Sequence, residues 1–466
     1  MNIKQVYFIG IGGIGMSNLA RYFKAKGRAV AGYDRTPSPL TLALEAEGMQ
    51  IHYEDDVRQI PAAFLDTTTT LVVRTPAVPA SHSELCHFQA RGFTVMKRAE
   101  VLGEISREGR ALCVSGTHGK TTTSTLLAHL LTVSGKGCNA FLGGISKNYG
   151  TNLLLDDHSD LAVFEADEYD RSFHHLSPWM AVVTAVDADH LDIYGTHEAY
   201  IESFAHFTEL IREGGALVMK YGLALRPRTG KGVSCYTYAA SVTSPRAALA
   251  DFYSDNVTVR DARLFFDFHY PAVKGCPAGV IRGVELGVPM MIHVENATAA
   301  MAIGLLNGLT PDELAEGVRS FQGNLRRFDF QVRKPGFLFV DDYAHHPDEL
   351  KASIASLRML CPDRRLTGVF QPHLYTRTRD FAAEFAAALS ALDEVILLDI
   401  YPARELPIEG VTSQLIFDRI TSPAKSMSTL DDIVPLLKTK QPEVLMTLGA
   451  GNIDRIVPLL KAEFEK

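Results

Sequence analysis

The chain has 466 residues, 46% hydrophobic and 21% charged, with a net charge of −8. That length suggests about three domains, and the acidic balance argues against broad nucleic-acid binding. The six cysteines are scattered with no C-x-x-C pair, and no apolar run reaches the ~20 residues of a membrane span, so a reduced, cytoplasmic protein without membrane insertion or a zinc site is expected.

Short apolar runs alternate with longer amphipathic stretches, the pattern of βαβ units and parallel sheets. The fold class is therefore α/β, in three blocks: 1–107, 108–322 and 323–466. In the first block, residues 6–9 read as a strand, 16–26 as a helix, and 29–32 and 71–74 as strands. The second opens with strand 112–115 and helix 121–133, then strands 161–165 and 181–185. Residues 225–290 are rich in Pro, Gly and Thr and mix aromatics with charges; they read as β-hairpins and not as further βαβ units. A helix at 295–306 follows. The third block has strands at 337–340, 366–370, 394–398 and 444–448.

Gly10-Ile11-Gly12-Gly13-Ile14-Gly15 fits G-x-G-x-x-G between a strand and a helix, and Asp34 closes the second strand. Glycines let backbone amides approach a pyrophosphate, and the helix N-terminus adds partial positive charge. Gly10, Gly12, Gly13, Gly15 and Asp34 are thus candidate ligand contacts. NAD, as in a dehydrogenase, and a UDP-sugar both satisfy the pattern.

A second phosphate loop, Gly116-Thr117-His118-Gly119-Lys120-Thr121-Thr122, joins the next strand to its helix. It is shorter than a full Walker motif, because Val114 stands where the first glycine is expected. Its amides can wrap phosphate oxygens, Lys120 can place a charge on the β/γ-phosphates, and Thr121 can ligate Mg²⁺. Two such loops imply two phosphorylated ligands, whereas a simple dehydrogenase needs one. The acidic run Glu165-Ala166-Asp167-Glu168-Tyr169-Asp170 and the pair Asp189-His190 each close a strand. Carboxylate oxygens with one imidazole suit Mg²⁺ beside a triphosphate, which makes Glu165 and His190 candidate ligands. In the third block all four strands end in polar groups. Asp341–Pro347 and the run 371–379 cluster His345, His346, His373 and Arg377, a pocket type suited to a small zwitterion or acid.

Taken in order, these strings resemble the Mur ligases of bacterial cell-wall synthesis over nearly the whole chain. The resemblance rests on 10–15, Arg98-Ala99-Glu100, 116–122, Glu165-Ala166-Asp167-Glu168, Ala188-Asp189-His190, Phe321-Gln322-Gly323, Arg326-Arg327-Phe328-Asp329-Phe330, 341–347, 371–380 and 449–453. It implies a Rossmann-like first domain for the UDP part of a substrate, a central P-loop ATPase-type domain with added hairpins, and a Rossmann-like third domain for an amino acid. It implies ATP- and Mg²⁺-dependent joining of L-alanine to the carboxylate of UDP-N-acetylmuramate through an acyl phosphate, in peptidoglycan synthesis. By resemblance, Gly116, Thr117, His118, Gly119, Lys120, Thr121, Thr122, Asn296, Arg327 and Asp342 serve ATP. Thr121, Glu165 and His190 hold metal, and Tyr343, His345, His373 and Arg377 form the alanine pocket. Lys120, Glu165, His190, His345 and Arg377 carry the chemistry, with the amine's proton going to His345 or to the metal-bound environment. Four positions depart from the family's usual residues: Ile292-His293 for His-Asn, Leu374 for Arg, and Tyr169 for Ser. Tyr169 is similar to the family member that joins a recycled tripeptide, the main alternative. Residues 191–210 contain no lysine, unlike members that place a carbamylated lysine there.

Overall fold

The computed structural model describes residues 3–403 and 405–465, without the side chain of residue 192. They form two compact units. One contains the chain up to residue 255 with 268–281 and 296–318; the other contains 319 onward with 256–267 and 282–295.

The first sheet is parallel, in the order Gln50–His52, Ala29–Tyr33, Gln5–Ile9, Thr70–Arg74, Thr94–Lys97. The central strand Gln5–Ile9 is fully buried from Val6 onward, which explains its unbroken apolar run. Its successors in the chain leave on opposite sides, so the glycine loop that follows Ile9 opens at the switch point of the sheet. Helix Ile14–Ala25 begins inside the glycine motif, two residues earlier than expected. Tyr7, at the middle of that strand, is buried and donates to Glu84 Oε2 at 2.8 Å; Glu84 is fully buried as well. Burial and the neighbouring carboxylate hold the Tyr7 phenol well above its ordinary pKa.

The second sheet runs Gly279–Leu286, Arg263–Tyr270, Phe252–Arg260, Ser234–Ala240, Ala216–Lys220, Pro178–Val183, Arg110–Ser115, Leu161–Glu165, Asn139–Ser146, Thr151–Leu154. Arg110–Ser115 pairs in parallel with Pro178–Val183 on one side and Leu161–Glu165 on the other. Helix Lys120–Val133, which follows it, is buried at every residue from Thr122 to Leu131. The hairpin expectation for 225–290 needs correction. Ser234–Ala240 pairs in parallel with Ala216–Lys220 and with Phe252–Arg260, so it extends the parallel sheet. Hairpin chemistry is found at Asp261-Ala262, a two-residue turn with φ of 51° and 55°, as a primed turn requires. The helix expected at 295–306 is Met291–Leu306, one turn longer at its start.

The two sheets share one apolar core. Phe8 and Tyr22 from the first belong to the same buried cluster as Phe141, Phe164, Phe173 and Phe204 from the second. Phe141 stacks on Phe164 with ring centroids 5.1 Å apart, and Tyr22 meets Phe141 at 5.4 Å.

In the second unit the sheet runs Asp329–Lys334, Phe337–Asp342, Val444–Leu448, Leu366–Phe370, Glu394–Leu397, Ala424–Met427. Only Asp329–Lys334 is antiparallel. The strand expected at 337–340 continues through Asp341 and Asp342, which are therefore buried strand residues. Among the described residues, no helix is long and apolar enough to cross a membrane.

Tyr7→Phe tests the buried polar contact under the first sheet. It leaves Glu84 Oε2 without its donor, at a cost of about 1–3 kcal/mol. The expected result is a lower urea midpoint at unchanged slope; an unchanged midpoint would show that water replaces the phenol.

Candidate active site

The loop 116–122 is set by two glycines and one threonine. Gly116 has φ of 128°, and a Cβ there would collide with Thr184; Gly119 has φ of 82° and caps helix Lys120–Val133. Thr184 Oγ1 reaches the Ser115 carbonyl at 3.1 Å and the His118 carbonyl, so one hydroxyl holds both ends of the turn. Thr117 Oγ1 donates to the Asp187 carbonyl at 2.9 Å and lies 3.0 Å from the Tyr200 hydroxyl. Asn296, 6% exposed, lies against Gly119, whose Cβ would stand 2.6 Å from Asn296 Oδ1. His118 faces solvent, and Thr121 is half-buried at the helix start.

Lys120 turns back over this loop. Its Nζ donates to the Gly116 carbonyl at 2.6 Å and to Glu168 Oε1 at 2.8 Å. The side chains are 15% and 1% exposed. Burial opposes charge on Lys120, but Glu168, with help from Glu165 and Asp167, more than offsets it and holds the ammonium above its ordinary pKa. Tyr200 donates to the same Glu168 oxygen at 3.4 Å, and the Tyr194 hydroxyl donates to its backbone carbonyl. Glu168 Oε2 and Glu165 Oε2 are buried with no hydrogen-bond partner. His190 has φ of 51° and stands edge-on to Tyr169, with its Nε2 4.0 Å from Glu168 Oε1.

Among the described residues, no three His, Cys, Asp or Glu side chains have metal-holding geometry. Mg²⁺, however, keeps several waters and takes one or two carboxylates plus phosphate oxygens. The orphaned Glu165 oxygen, with Thr121 and His190, fits that lean donor set.

At the glycine loop, Gly10 has φ of 89°, and a Cβ there would press on Thr75; one on Gly12 would press on Thr41 and on Asp34. Gly12 N donates to Asp34 Oδ2 at 2.6 Å, so Asp34 fastens the loop. Gly13 is the N-cap of helix Ile14–Ala25, and Gly15 lies against the guanidinium of Arg98.

The second unit gathers its own cluster. Arg326 and Arg327 each place a guanidinium 5.1 Å from the Tyr343 ring. Asp342 accepts from Ser353 and from Ala344 N, and burial raises its carboxyl to about 6 against the pull of Ser353 and Arg327. The His345 ring meets those of Tyr343 and His373 at 5.2 and 6.1 Å. Its Nδ1 lies 3.0 Å from the Tyr343 carbonyl, which can only accept. Nδ1 therefore carries the proton, and Nε2 keeps its lone pair. Burial, with the charge of Arg377, holds the His345 imidazole below its ordinary range despite Glu349. Burial, His345 and Arg377 push His373 down to about 4. His373 Nδ1 and Arg377 Nη1 are buried without hydrogen-bond partners. His293 is buried, its imidazole pushed down to about 4 by burial, and its Nδ1 faces the Val288 carbonyl at 3.3 Å, a structural role.

Residues 5–110 match the description "Mur ligase family, catalytic domain", 114–304 the "Mur ligase middle domain", and 326–451 the "Mur ligase, glutamate ligase domain". The chain belongs to the Mur ligase family. A UDP-N-acetylmuramate–L-alanine ligase from Porphyromonas gingivalis is 57% identical over 98% of both chains. The crystal structure of UDP-N-acetylmuramate-alanine ligase from Thermotoga maritima matches with a TM-score of 0.82 at 23% identity, covering 99% of each chain. The MurF ligase of Thermotoga maritima, solved in complex with ADP, shares the fold with a TM-score of 0.59 at 19% identity, covering 85% of this chain and 89% of its own.

This Mur ligase holds three groups that sequence reasoning did not single out. Thr184 and Tyr200 have no motif of their own. Glu168 was visible only as one carboxylate among several, and its pairing with Lys120 spans 48 residues. Glu168→Ala leaves Lys120 buried without its partner, a loss of about 3–5 kcal/mol. Chemical denaturation should show that loss, and a Lys120→Met/Glu168→Leu double variant should recover much of it. A loss under about 1 kcal/mol would show the pair to be no more than a surface contact.

Proposed function

We propose that the protein uses ATP to join L-alanine to the lactyl carboxylate of UDP-N-acetylmuramate. The observation that carries this is the compact phosphate loop with Lys120 folded over it beside Glu165 and Glu168. It stands in the same unit as a second glycine loop at a sheet switch point. The first loop suits a triphosphate and the second a UDP diphosphate.

The muramate carboxylate attacks the γ-phosphorus of ATP, ADP leaves, and an acyl phosphate forms. Lys120 has three N–H donors and a charge held by its surroundings, so it can follow the transferring phosphoryl oxygens. Amides of 116–122 hold the phosphates, and Asn296 borders them at Gly119. Thr121, Glu165 and His190 would hold Mg²⁺, which when bound neutralises phosphate charge. The amine of alanine then attacks the acyl carbon, and inorganic phosphate leaves. Alanine arrives as an ammonium and must lose a proton first. His345 suits that step: its imidazole is neutral, its Nδ1–H faces the Tyr343 carbonyl, and its Nε2 is free to accept. Arg377 Nη1 and His373 Nδ1, both without partners, suit the alanine carboxylate, and Tyr343 with Arg327 and Asp342 borders the same cluster.

Phosphate release is measured with ATP, UDP-N-acetylmuramate and a panel of amines: L-alanine, glycine, L-serine and a wall tripeptide. Turnover with alanine and little with tripeptide is expected; the reverse preference would move the protein to the tripeptide-joining reaction. Lys120→Ala should lower phosphate release about a hundredfold or more while UDP-N-acetylmuramate still binds. Normal release from that variant would sink the assignment.

The pH profile has a defined sign. Because His345 is held below its ordinary pKa, it stays a base as pH falls through the normal imidazole range of about 6.5. The acid limb of kcat/KM should therefore lie below that value. His345→Gln should lower kcat by about 10²–10⁴ and remove the limb. An unchanged profile in that variant would assign the proton to another group.

A further inference from the structure

Arg98 stands between the glycine loop 10–15 and the acidic turn that carries the partner of Lys120. It opens helix Arg98–Arg107. Its Nη1 packs so close to Gly15 that a Cβ there would overlap it. Its Nη2 donates to Asp167 Oδ2 at 3.1 Å. Asp167 Oδ1 accepts from Tyr169 N at 3.1 Å, and the next residue along the chain is Glu168, the partner of Lys120. Lys97 adds a parallel tie, Nζ to Asp170 Oδ2 at 3.0 Å. The segment held in this way is strained: Asp170 and Arg171 both have left-handed φ, 52° and 55°. Two cations from one strand–helix junction thus hold a high-energy turn whose middle residue positions Lys120. Arg98 is 22% exposed, and its guanidinium has N–H donors beyond the one given to Asp167.

We infer that Arg98 is a positioning residue that couples the two loops. A diphosphate at 10–15 and a nucleotide at 116–122 both favour the arrangement in which its guanidinium spans Gly15 and Asp167. The inference rests on the diphosphate reading of the glycine loop. A diphosphate there supplies a second anion to a fork that already holds one. With both anions in place the guanidinium is fixed, and with it the turn that presents Glu168 to Lys120. Coupling of this kind is reciprocal, so each ligand tightens the other.

Titration calorimetry on the full chain, with Mg²⁺ present throughout, compares a non-hydrolysable ATP analogue alone and at saturating UDP-N-acetylmuramate. The proteins are wild type, R98A, R98K, D167N and R98A/D167N. In wild type the UDP ligand should tighten the analogue by about fivefold or more, and in R98A and D167N by less than about twofold, each measured against the same variant's binding of the analogue alone. R98K, which keeps the charge but lacks the fork, should recover little of the coupling. The double variant should lose no more than either single one, because both remove the same link. D167N gives the same readout should R98A melt early. Absence of coupling in wild type, or full coupling in R98A or D167N, overturns the inference. If wild type binds the analogue but no UDP-N-acetylmuramate, the reading of the glycine loop fails, and the inference with it.

Discussion

A lysine ammonium cannot be buried alone, because leaving water costs several kcal/mol unless a counter-charge and hydrogen bonds meet it. Lys120 is placed at the start of a buried helix and points back over its own loop, so it needs both. The Gly116 carbonyl supplies one and Glu168 the other. This requirement organises the surroundings. Glu168 can be that partner only if the strand Leu161–Glu165 ends in a turn that brings it inward. That turn is held by Tyr194, Tyr200, Arg98 and Lys97. Each is a donor, as an inward carboxylate loop requires. Cation and loop are held ready where a phosphate chain would lie, so little reorganisation is left for the chemical step.

The two glycine loops solve one problem with different parts. Both end a central parallel strand and open a helix, where amides converge. In the first, glycine is demanded by side chains that press on the loop: Thr75 at Gly10, Thr41 and Asp34 at Gly12, Arg98 at Gly15. In the second, backbone conformation and crowding coincide at both glycines: φ is 128° at Gly116 beside Thr184 and 82° at Gly119 beside Asn296. Asp34 fastens the first loop through Gly12 N, and Thr184 fastens the second through two carbonyls. A carboxylate at the first already occupies the Gly12 amide. A neutral hydroxyl at the second adds no charge of its own to the loop.

The parts of this architecture that were legible in sequence are those that local physics fixes. Buried parallel strands must be apolar on both faces, so Gln5–Ile9, Arg110–Ser115 and Leu161–Glu165 stood out as short runs, and the polar clusters that follow them mark the carboxyl edge. The turns at Gly10, Gly116 and Gly119 were legible because left-handed φ permits few residues besides glycine. Glu168 as the partner of Lys120 was not, because nothing local distinguishes it from Glu165 or Asp167, and the choice is made by contacts 32 and 48 residues away. Ser234–Ala240 misled for a related reason. Its strand, exposed at the start and buried at the end, lies between two parallel partners, and its mixture of polar and aromatic residues is equally that of a hairpin strand. Asp341 and Asp342 looked like loop residues because charge is rare inside strands. They are buried there because Thr447, Ser353 and the arginines 326 and 327 meet them.

The cluster of the second unit gains its meaning from what it leaves unsatisfied. Arg377 Nη1 and His373 Nδ1 are buried with nothing to bond, and both belong to one cluster of rings and charges. Such a pair is costly unless a ligand completes it. The adjoining imidazoles are neutral because burial and the Arg377 charge both oppose protonation. A site with one fixed cation and neutral rings favours a carboxylate at the cation and accepts a proton at a ring. A free amino acid asks for both, since its carboxylate must be held and its ammonium must become an amine. Leu374 lies in the same turn with φ of 72°, a strained conformation for a branched side chain, kept in place by Leu374 N bonding the Tyr401 carbonyl at 3.0 Å. That strain turns the chain between His373, beyond the end of one strand, and Arg377, on the following helix.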